Sequence, residues 1–533
     1  MAAEGYARMA KKPALVLVTN GPGSSNLITG VLGAWQDSIP MFVISGQVPR
    51  HQTLSAEPLP LRQLGLQEAN IISMVQYCTN YAVQLTDASR IKYEVDRAWY
   101  LATTGRMGPV WLDIPIDLQA EFIDPDLQAE YLPEVIYLRG HHDMTDINTA
   151  ISLAQRPLII AGNGIHLADA EVEFRQLVDR LQIPVICTWN ATDLFSFDDP
   201  LYVGNFGLLG ERAANFAVQR ADLLLILGSR LSIPCIGYNS QDFAPDAVKI
   251  MVDIDHNEIV KHTIKIHYPC AGDVKDIMPS IQAQVDCSHW TQLLMDWKYR
   301  FPVFGEDHVR DADYVNSFDF MEHLGTCLRA DDVVVTDMGT SFTCTMQSLR
   351  NTGDNRLFTS SALCSMGYGL PGAIGAQVAS PGSRVMCIAG DGGFQMNIQE
   401  LQTVVQYNLP IKIILLDNAG YLAISLMQDN LFDKQHFGAD AASGVSSPDF
   451  CAVANAYGIP SHRLDTLEQV LEQLADLLAQ PGPALIEINM VRNQLLIPRV
   501  QSRRDQNGNI TSGSLDSMFP YLSETELLAA GIR

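Results

Sequence analysis

The sequence predicts an α/β protein of three doubly wound parallel-sheet domains, the first of them short for its type. Three observations carry this. The 533 residues exceed what one hydrophobic core holds, since cores stop growing near ~250–300 residues. Short aliphatic runs alternate with helix-length amphipathic stretches, the pattern of βαβ units. Several of those runs end in glycine-rich turns, where a parallel strand hands over to its helix. The expected boundaries are 1–120, 141–285 and 310–497, with a tail over 498–533.

In the first domain, Leu15–Thr19 is an aliphatic strand candidate. It is followed by Asn20-Gly-Pro-Gly-Ser24 and a helical stretch through Trp35. Met41–Ser45 and Val110–Ile114 are further strands. Asp117–His142 is acidic, contains prolines and lacks an apolar period, so it reads as a linker. In the second domain, Pro157–Ala161 runs into Gly162-Asn-Gly164, and Pro184–Thr188, Leu223–Leu227 and Ile250–Asp253 follow. Ser288–Asp313 reads as a second linker. The third domain has strands at Val333–Thr336, Arg384–Ala389, Ile411–Leu416 and Ala484–Asn489.

Composition excludes several classes of function. A hydrophobic fraction of 47% with 18% charged residues is that of a packed globular chain, not a disordered one. The net charge of −25 without a basic cluster argues against a nucleic-acid partner, because phosphate backbones need clustered positive charge. The ten cysteines form no CxxC pair, which speaks against a zinc or redox pair and for small buried side chains in a reducing compartment. No apolar run is long enough for a membrane span, and the first residues do not read as a secretory signal. A cytoplasmic protein is expected.

The chemistry concentrates in Ile388-Ala-Gly-Asp-Gly-Gly393. A strand enters a glycine-rich turn holding an aspartate, and a helix follows. Ligands of open α/β sheets bind at the carboxyl ends of strands. Glycines let the backbone approach a phosphate, and a helix start favours its charge. The next strand ends in Asp417-Asn418. Asp391 and Asn418 therefore present hard oxygens from two successive strand ends, and the Gly420 carbonyl lies just beyond. Such a set suits Mg²⁺ shared with a phosphate group. Gly390, Gly392, Gly393 and Tyr421 border the same turns.

That pair at that separation resembles the Mg²⁺–diphosphate motif of thiamine-diphosphate enzymes. The chain as a whole resembles their acetolactate synthase and pyruvate oxidase group, from Met1 to about Arg499. Thr19-Asn-Gly-Pro-Gly-Ser-Ser-Asn26, Ser45-Gly-Gln-Val-Pro49 and Leu112-Asp-Ile-Pro115 match the pyrimidine-binding domain. The resemblance makes Pro22, Gly23 and Asn26 cofactor contacts and sets Gln47 and Gln67 at the border of the reacting centre. Asp337-Met-Gly339 and Ser365-Met-Gly-Tyr-Gly-Leu-Pro371 match the diphosphate domain. Gly339 and Ser365 thereby join the cofactor contacts, and Met366 takes the place of the apolar wedge that holds the cofactor bent. In the central domain Gly162, Gly164, Gly207, Gly228, Arg230 and Asp253 resemble the FAD-binding positions of acetolactate synthases, with a vestigial domain lacking flavin as the alternative.

The resemblance implies a carboligase that decarboxylates a 2-oxo acid, pyruvate first among them, using thiamine diphosphate, Mg²⁺ and FAD, in a homodimer or homotetramer. The acceptor stays open. Met427 stands where branched-chain enzymes carry tryptophan, while Leu61–Glu68 and Ser514–Tyr521 resemble relatives that transfer a pyruvate-derived acetyl unit to a nucleotide keto-sugar. Ser425 in place of their arginine departs from those relatives, and Cys364 replaces a common glycine. The family opens with a further strand and helix that end in the glutamate which protonates the cofactor. That glutamate would precede Met1, and Glu4 is not its substitute. Met1 is therefore expected to be internal to a longer protein, with a non-catalytic truncated chain as the competing reading. A flavin-dependent pyruvate oxidase is a third.

Overall fold

The computed structural model describes residues 1–57, 59–133, 143–261, 263–504 and 509–532. Positions 134–142 of the expected linker and 505–508 of the expected tail lie outside them. Two compact units emerge: Met1–Tyr137 with Ser360–Gly382, and Leu138–Thr359 with Ser383–Arg533.

The first unit holds a parallel sheet of β1 (Ala14–Val18), β2 (Met41–Gln47), β3 (Tyr81–Gln84) and β4 (Pro109–Pro115) in the order β1-β2-β4-β3. β4 is buried nearly throughout, as a parallel strand covered on both faces should be. β1 is an edge, and its Leu15 and Leu17 are 62% and 66% exposed. The segment Ser360–Gly382, expected in the third domain, groups with this unit because its helix Gly369–Ala379 packs on the helix Ala2–Ala10. Glycines allow that approach. A Cβ on Gly375 would lie 1.9 Å from the Ala2 carbonyl oxygen, and one on Gly5 would lie 2.2 Å from that of Gly372. Buried Arg8 donates to Glu4 at 2.8 Å and to Asp37 at 2.6 Å. Asp37 also accepts from the Ser361 amide at 2.8 Å. Glu4 is thus committed to an internal ion pair.

The second unit contains two six-stranded parallel sheets. The first comprises β5 (Pro157–Ala161), β6 (Val185–Cys187), β7 (Tyr202–Asn205), β8 (Leu223–Leu227), β9 (Val248–Asp253) and β10 (Tyr268–Ala271), ordered β10-β9-β8-β5-β6-β7. The second comprises β11 (Val333–Thr336), β12 (Arg356–Phe358), β13 (Val385–Gly390), β14 (Lys412–Asp417), β15 (Ser461–Leu464) and β16 (Ala484–Asn489), ordered β12-β11-β13-β14-β16-β15. Both orders are doubly wound: the chain runs outward from one central strand, then returns to that strand's other side.

Two expectations are corrected. Ser288–Arg300 is a helix, not a linker, and it buries Trp290, Leu294 and Trp297 in the core of the first of these sheets. The stretch after Pro498 is not a loose tail. Leu515, Ala530 and Ile532 join that same core, and Trp297 Nε1 donates to the Ala530 carbonyl at 2.8 Å. No helix among the described residues is long and apolar enough to cross a membrane.

One buried acid in this core yields a pH prediction. Glu211 accepts from the Asn205 amide at 2.8 Å. Burial pushes its carboxyl from 4.5 up to about 7, opposed by the Asn205 bond and by Lys298. A raised carboxyl stabilises the fold below its unfolded pKa, and that contribution is lost as pH climbs through about 7. Glu211→Gln keeps an acceptor without the charge. It should be near neutral at pH 5 and stabilising at pH 8 by about 2–3 kcal/mol, at ~1.4 kcal/mol per unit; thermal midpoints at the two pH values check this.

Candidate cofactor site

The second six-stranded sheet reverses its winding at β11, so the crevice between the carboxyl ends of β11 and β13 is its switch point, where ligands of such sheets bind. β11 delivers Asp337, Gly339 and Thr340, β13 delivers Gly390 to Gly393, and neighbouring β14 delivers Asp417 and Asn418. The turns are tightly joined. A Cβ on Gly393 would lie 2.9 Å from the Asp337 carboxylate carbon, and Asn418 Nδ2 reaches Thr340 Oγ1 at 3.5 Å.

Asp391 is buried. Its Oδ2 accepts from the Gly420 amide at 2.8 Å and from Ser447 Oγ at 3.1 Å. Burial and the Asp417 charge push its carboxyl up to about 7, so the site favours a compensating cation. Asn418 is 7% exposed, and its Oδ1 is a buried acceptor without a partner. Orphaned buried acceptors are rare and call for an explanation. The oxygens of Asp391 and Asn418 are hard donors of the kind that would hold a hard cation such as Mg²⁺. Room for a phosphate exists alongside. A Cβ on Gly339, whose φ is +82°, would meet nothing within 4 Å, and one on Gly390 would meet only the Leu416 carbonyl oxygen, at 4.0 Å. The Gly420 turn is held from the other side: Tyr421 N–H donates to the Ala439 carbonyl at 2.7 Å.

In the first unit, Pro22, Gly23 and Asn26 lie just past the carboxyl end of β1, where Pro22–Ser25 forms one helical turn. Gln67 joins them, since its carbonyl oxygen packs where a Cβ on Gly21 would sit, at 2.1 Å, and its side chain is exposed. Gln47 closes β2 but is inward. Its Nε2 donates to the Ala69 carbonyl at 3.2 Å and to Asp113 at 3.0 Å, and its Oε1 accepts from Val48 N–H at 3.0 Å. Ser365 and Met366 are half-buried and follow Cys364, whose φ is +55°.

In the central sheet, Gly162 and Gly164 meet Gly228 at the switch point between β5 and β8. Gly164 N–H donates to the Gly228 carbonyl at 2.9 Å, and a Cβ on Gly164 would lie 2.7 Å from the Gly228 Cα. Turn-to-turn packing thus accounts for these glycines by itself. Gly207 packs on the Pro234 carbonyl. Arg230 is half-buried, and Asp253 closes β9, accepting from the Asp255 amide at 2.9 Å.

Residues 1–74, 144–281 and 337–488 match, in turn, the N-terminal TPP binding domain, the central domain and the C-terminal TPP binding domain of the thiamine pyrophosphate enzymes. The chain belongs to the thiamine pyrophosphate enzyme family. Its relatives include the acetolactate synthase isozyme 2 large subunit of Escherichia coli (strain K12), 34% identical over 499 residues that cover 92% of this chain and 86% of the relative. The acetolactate synthase large subunit of Lactococcus lactis subsp. lactis (strain IL1403) is 30% identical over 93% of this chain and 85% of its own length. The probable acetolactate synthase large subunit of Methanococcus aeolicus is 30% identical over 91% and 83%. Within the thiamine pyrophosphate enzyme family this chain is acetolactate synthase-like.

Sequence reasoning missed Ser447. It stands 56 positions from Asp391, in a serine- and proline-containing loop with no periodic signal, so only the fold brings it to the carboxylate. Ser447→Ala should raise the Mg²⁺ concentration for half-saturation about tenfold, the low end for losing a partner of a metal ligand, with the thermal midpoint unchanged. A Mg²⁺ titration of thiamine diphosphate binding measures it.

Proposed function

We propose that this chain is a thiamine-diphosphate- and Mg²⁺-dependent carboligase that decarboxylates pyruvate and passes the two-carbon unit to an acceptor carbonyl. The observation that carries the reading is the unpartnered buried Asn418 Oδ1 beside the buried Asp391 carboxylate, at the switch point of a sheet whose turns leave room for a diphosphate. Thiamine diphosphate supplies the carbanion chemistry that amino-acid side chains lack, and the protein supplies binding, orientation and electrostatics.

The residues divide that work. Asp391, Asn418 and the Gly420 carbonyl hold Mg²⁺. Ser447 and the Gly420 amide donate to Asp391 Oδ2 and so fix the orientation of the carboxylate that would hold the metal. Gly339, Gly390, Gly392, Gly393 and Tyr421 line the diphosphate; by the resemblance, Ser365 is a further cofactor contact and Pro22, Gly23 and Asn26 are contacts of the pyrimidine-binding domain. Met366 is the apolar wedge. Gln67 presents its exposed amide to the reacting centre. Gln47, its amide spent on Val48, Ala69 and Asp113, acts by fixing the end of β2. The names of the relatives support pyruvate as donor and an acetolactate-type product.

The reading extends to FAD at the central switch point, supported by the position of Gly162, Gly164, Gly207 and Gly228 and by Arg230 and Asp253 nearby. The glycine packing is satisfied without a dinucleotide, so the flavin absorption spectrum of the purified protein decides this part. A cytoplasmic homodimer or homotetramer completes the proposal. The test of function is CO₂ release and acetolactate formation from pyruvate with thiamine diphosphate and Mg²⁺ added. Appearance of both supports the carboligase. Cofactor binding without CO₂ release from pyruvate overturns the donor assignment.

A further inference from the structure

Between Leu54–Ala56 and the helix Ile71–Val75, the described residues form no helix or strand. Residues 59–64, Leu66 and Gln67 are exposed, while Gly65 and Glu68 are buried. A buried glutamate in an irregular, exposed segment calls for partners, and Glu68 has three. Its Oε1 accepts from the Leu54 amide, and its Oε2 accepts from the Leu64 amide at 3.0 Å and the Gly65 amide at 3.1 Å. Bonds to an ionised acceptor are the stronger kind. One carboxylate thus joins the two ends of a stretch that has no hydrogen-bond ladder of its own.

Gln67, the residue just before it, has a φ of +56°. A residue other than glycine is uncommon there, and it persists where its surroundings over-determine it. Here the peptides on both sides are pinned. Asn20 Nδ2 donates to the Leu66 carbonyl at 3.0 Å, and Gln63 Nε2 donates to the Glu68 carbonyl at 3.2 Å. The Gln67 carbonyl oxygen itself sits against Gly21, where a Cβ would lie 2.1 Å away. The backbone is therefore fixed, and the exposed Gln67 side chain points where that backbone aims it.

We infer that Glu68 is a positioning residue: by holding the Leu54, Leu64 and Gly65 amides it keeps Gln67 in the left-handed conformation and so aims the Gln67 amide. This rests on the reading above that Gln67 presents that amide to the reacting centre. Both Glu68 oxygens are spent on the backbone, so Glu68 acts through Gln67 rather than on a substrate.

The test is a double-mutant cycle. CO₂ release from pyruvate is measured with thiamine diphosphate and Mg²⁺ saturating, for the unsubstituted protein, Glu68→Gln, Gln67→Ala and the two together. Glu68→Gln keeps the size but turns an NH₂ group toward amides that need an acceptor. It should lower kcat about 10- to 100-fold, the order of a ~1 Å misplacement, with thiamine diphosphate affinity unchanged. In the Gln67→Ala background the same substitution should cost less than about twofold, because the group it aims is gone. Hydrogen exchange of the Leu54, Leu64 and Gly65 amides should quicken about tenfold or more, as expected for losing a bond to a charged group. If Glu68→Gln lowers the thermal midpoint sharply, Glu68→Asp, which keeps the charge and withdraws it by one methylene, takes its place. Equal factors in the two backgrounds, unchanged turnover in Glu68→Gln, or a Gln67→Ala variant as fast as its parent overturns the inference and leaves the carboligase reading standing. If the unsubstituted protein releases no CO₂, that reading falls and the exchange rates decide this one: quickened exchange sustains Glu68 as the residue that sets Gln67, and unchanged exchange overturns it.

Discussion

Asp391→Asn should abolish Mg²⁺-dependent binding of thiamine diphosphate and lower turnover of pyruvate by at least about 100-fold, the upper range seen for losing even an outer partner of a metal ligand. The substitution keeps the shape and removes the charge. In the protein as it stands, burial and Asp417 push the Asp391 carboxyl up to about 7, which means the ionised form is tolerated rather than favoured until a cation arrives. The Asn variant is therefore expected to be no less stable than the parent when Mg²⁺ is absent. Loss of cofactor binding with an unchanged thermal midpoint marks a binding role. A comparable fall in both would mark Asp391 as structural. Asn418→Ala tests the same centre from β14 and should also lose metal-dependent binding.

Ending the chain after Ser512 should leave an insoluble or molten protein. Leu515, Met518, Ala530 and Ile532 are all at most 6% exposed. Burying a Leu, Ile or Met side chain contributes about 1.5–3 kcal/mol, so together these residues approach the ~5–15 kcal/mol by which a domain is stable. Their removal also strands donors. Asn215 Nδ2 donates to the Leu515 carbonyl at 2.9 Å, Arg220 to that of Ile532 at 2.8 Å and Arg212 to that of Met518 at 3.2 Å. A soluble truncated chain with an unshifted melting transition would show that the segment is dispensable after all.

Legibility in the sequence followed burial. Pro157–Ala161, Leu223–Leu227, Val333–Thr336 and Ala484–Asn489 are interior strands of parallel sheets, covered on both faces, and their unbroken aliphatic runs delimit them residue by residue. In the three larger sheets, the five strands that no run announced, β3, β7, β10, β12 and β15, are all sheet edges. They are three or four residues long and lean on a neighbour along one side, so a strong apolar signal is not required of them. The helix Ser288–Arg300 was hidden by its polar residues, although Trp290, Leu294 and Trp297 keep the i, i+4, i+7 spacing of a buried helical stripe. At the candidate site, Asp391 and Asn418 were legible as hard oxygens at the ends of consecutive strands, and the structure places both there. Ser447 was not, because nothing local distinguishes it from any loop serine. The placement of Ser360–Gly382 beside the first sheet depends on glycine contacts between distant helices, which no local pattern encodes.

The most direct measurement is calorimetric titration of thiamine diphosphate into the protein, once with Mg²⁺ and once with EDTA. Asp391, Asn418 and Gly420 as a metal-bridged diphosphate centre predict tight binding with Mg²⁺ and little without it, lost again in Asn418→Ala. Binding of equal strength in EDTA, or unaffected by that substitution, would contradict the assignment of this crevice as the cofactor site.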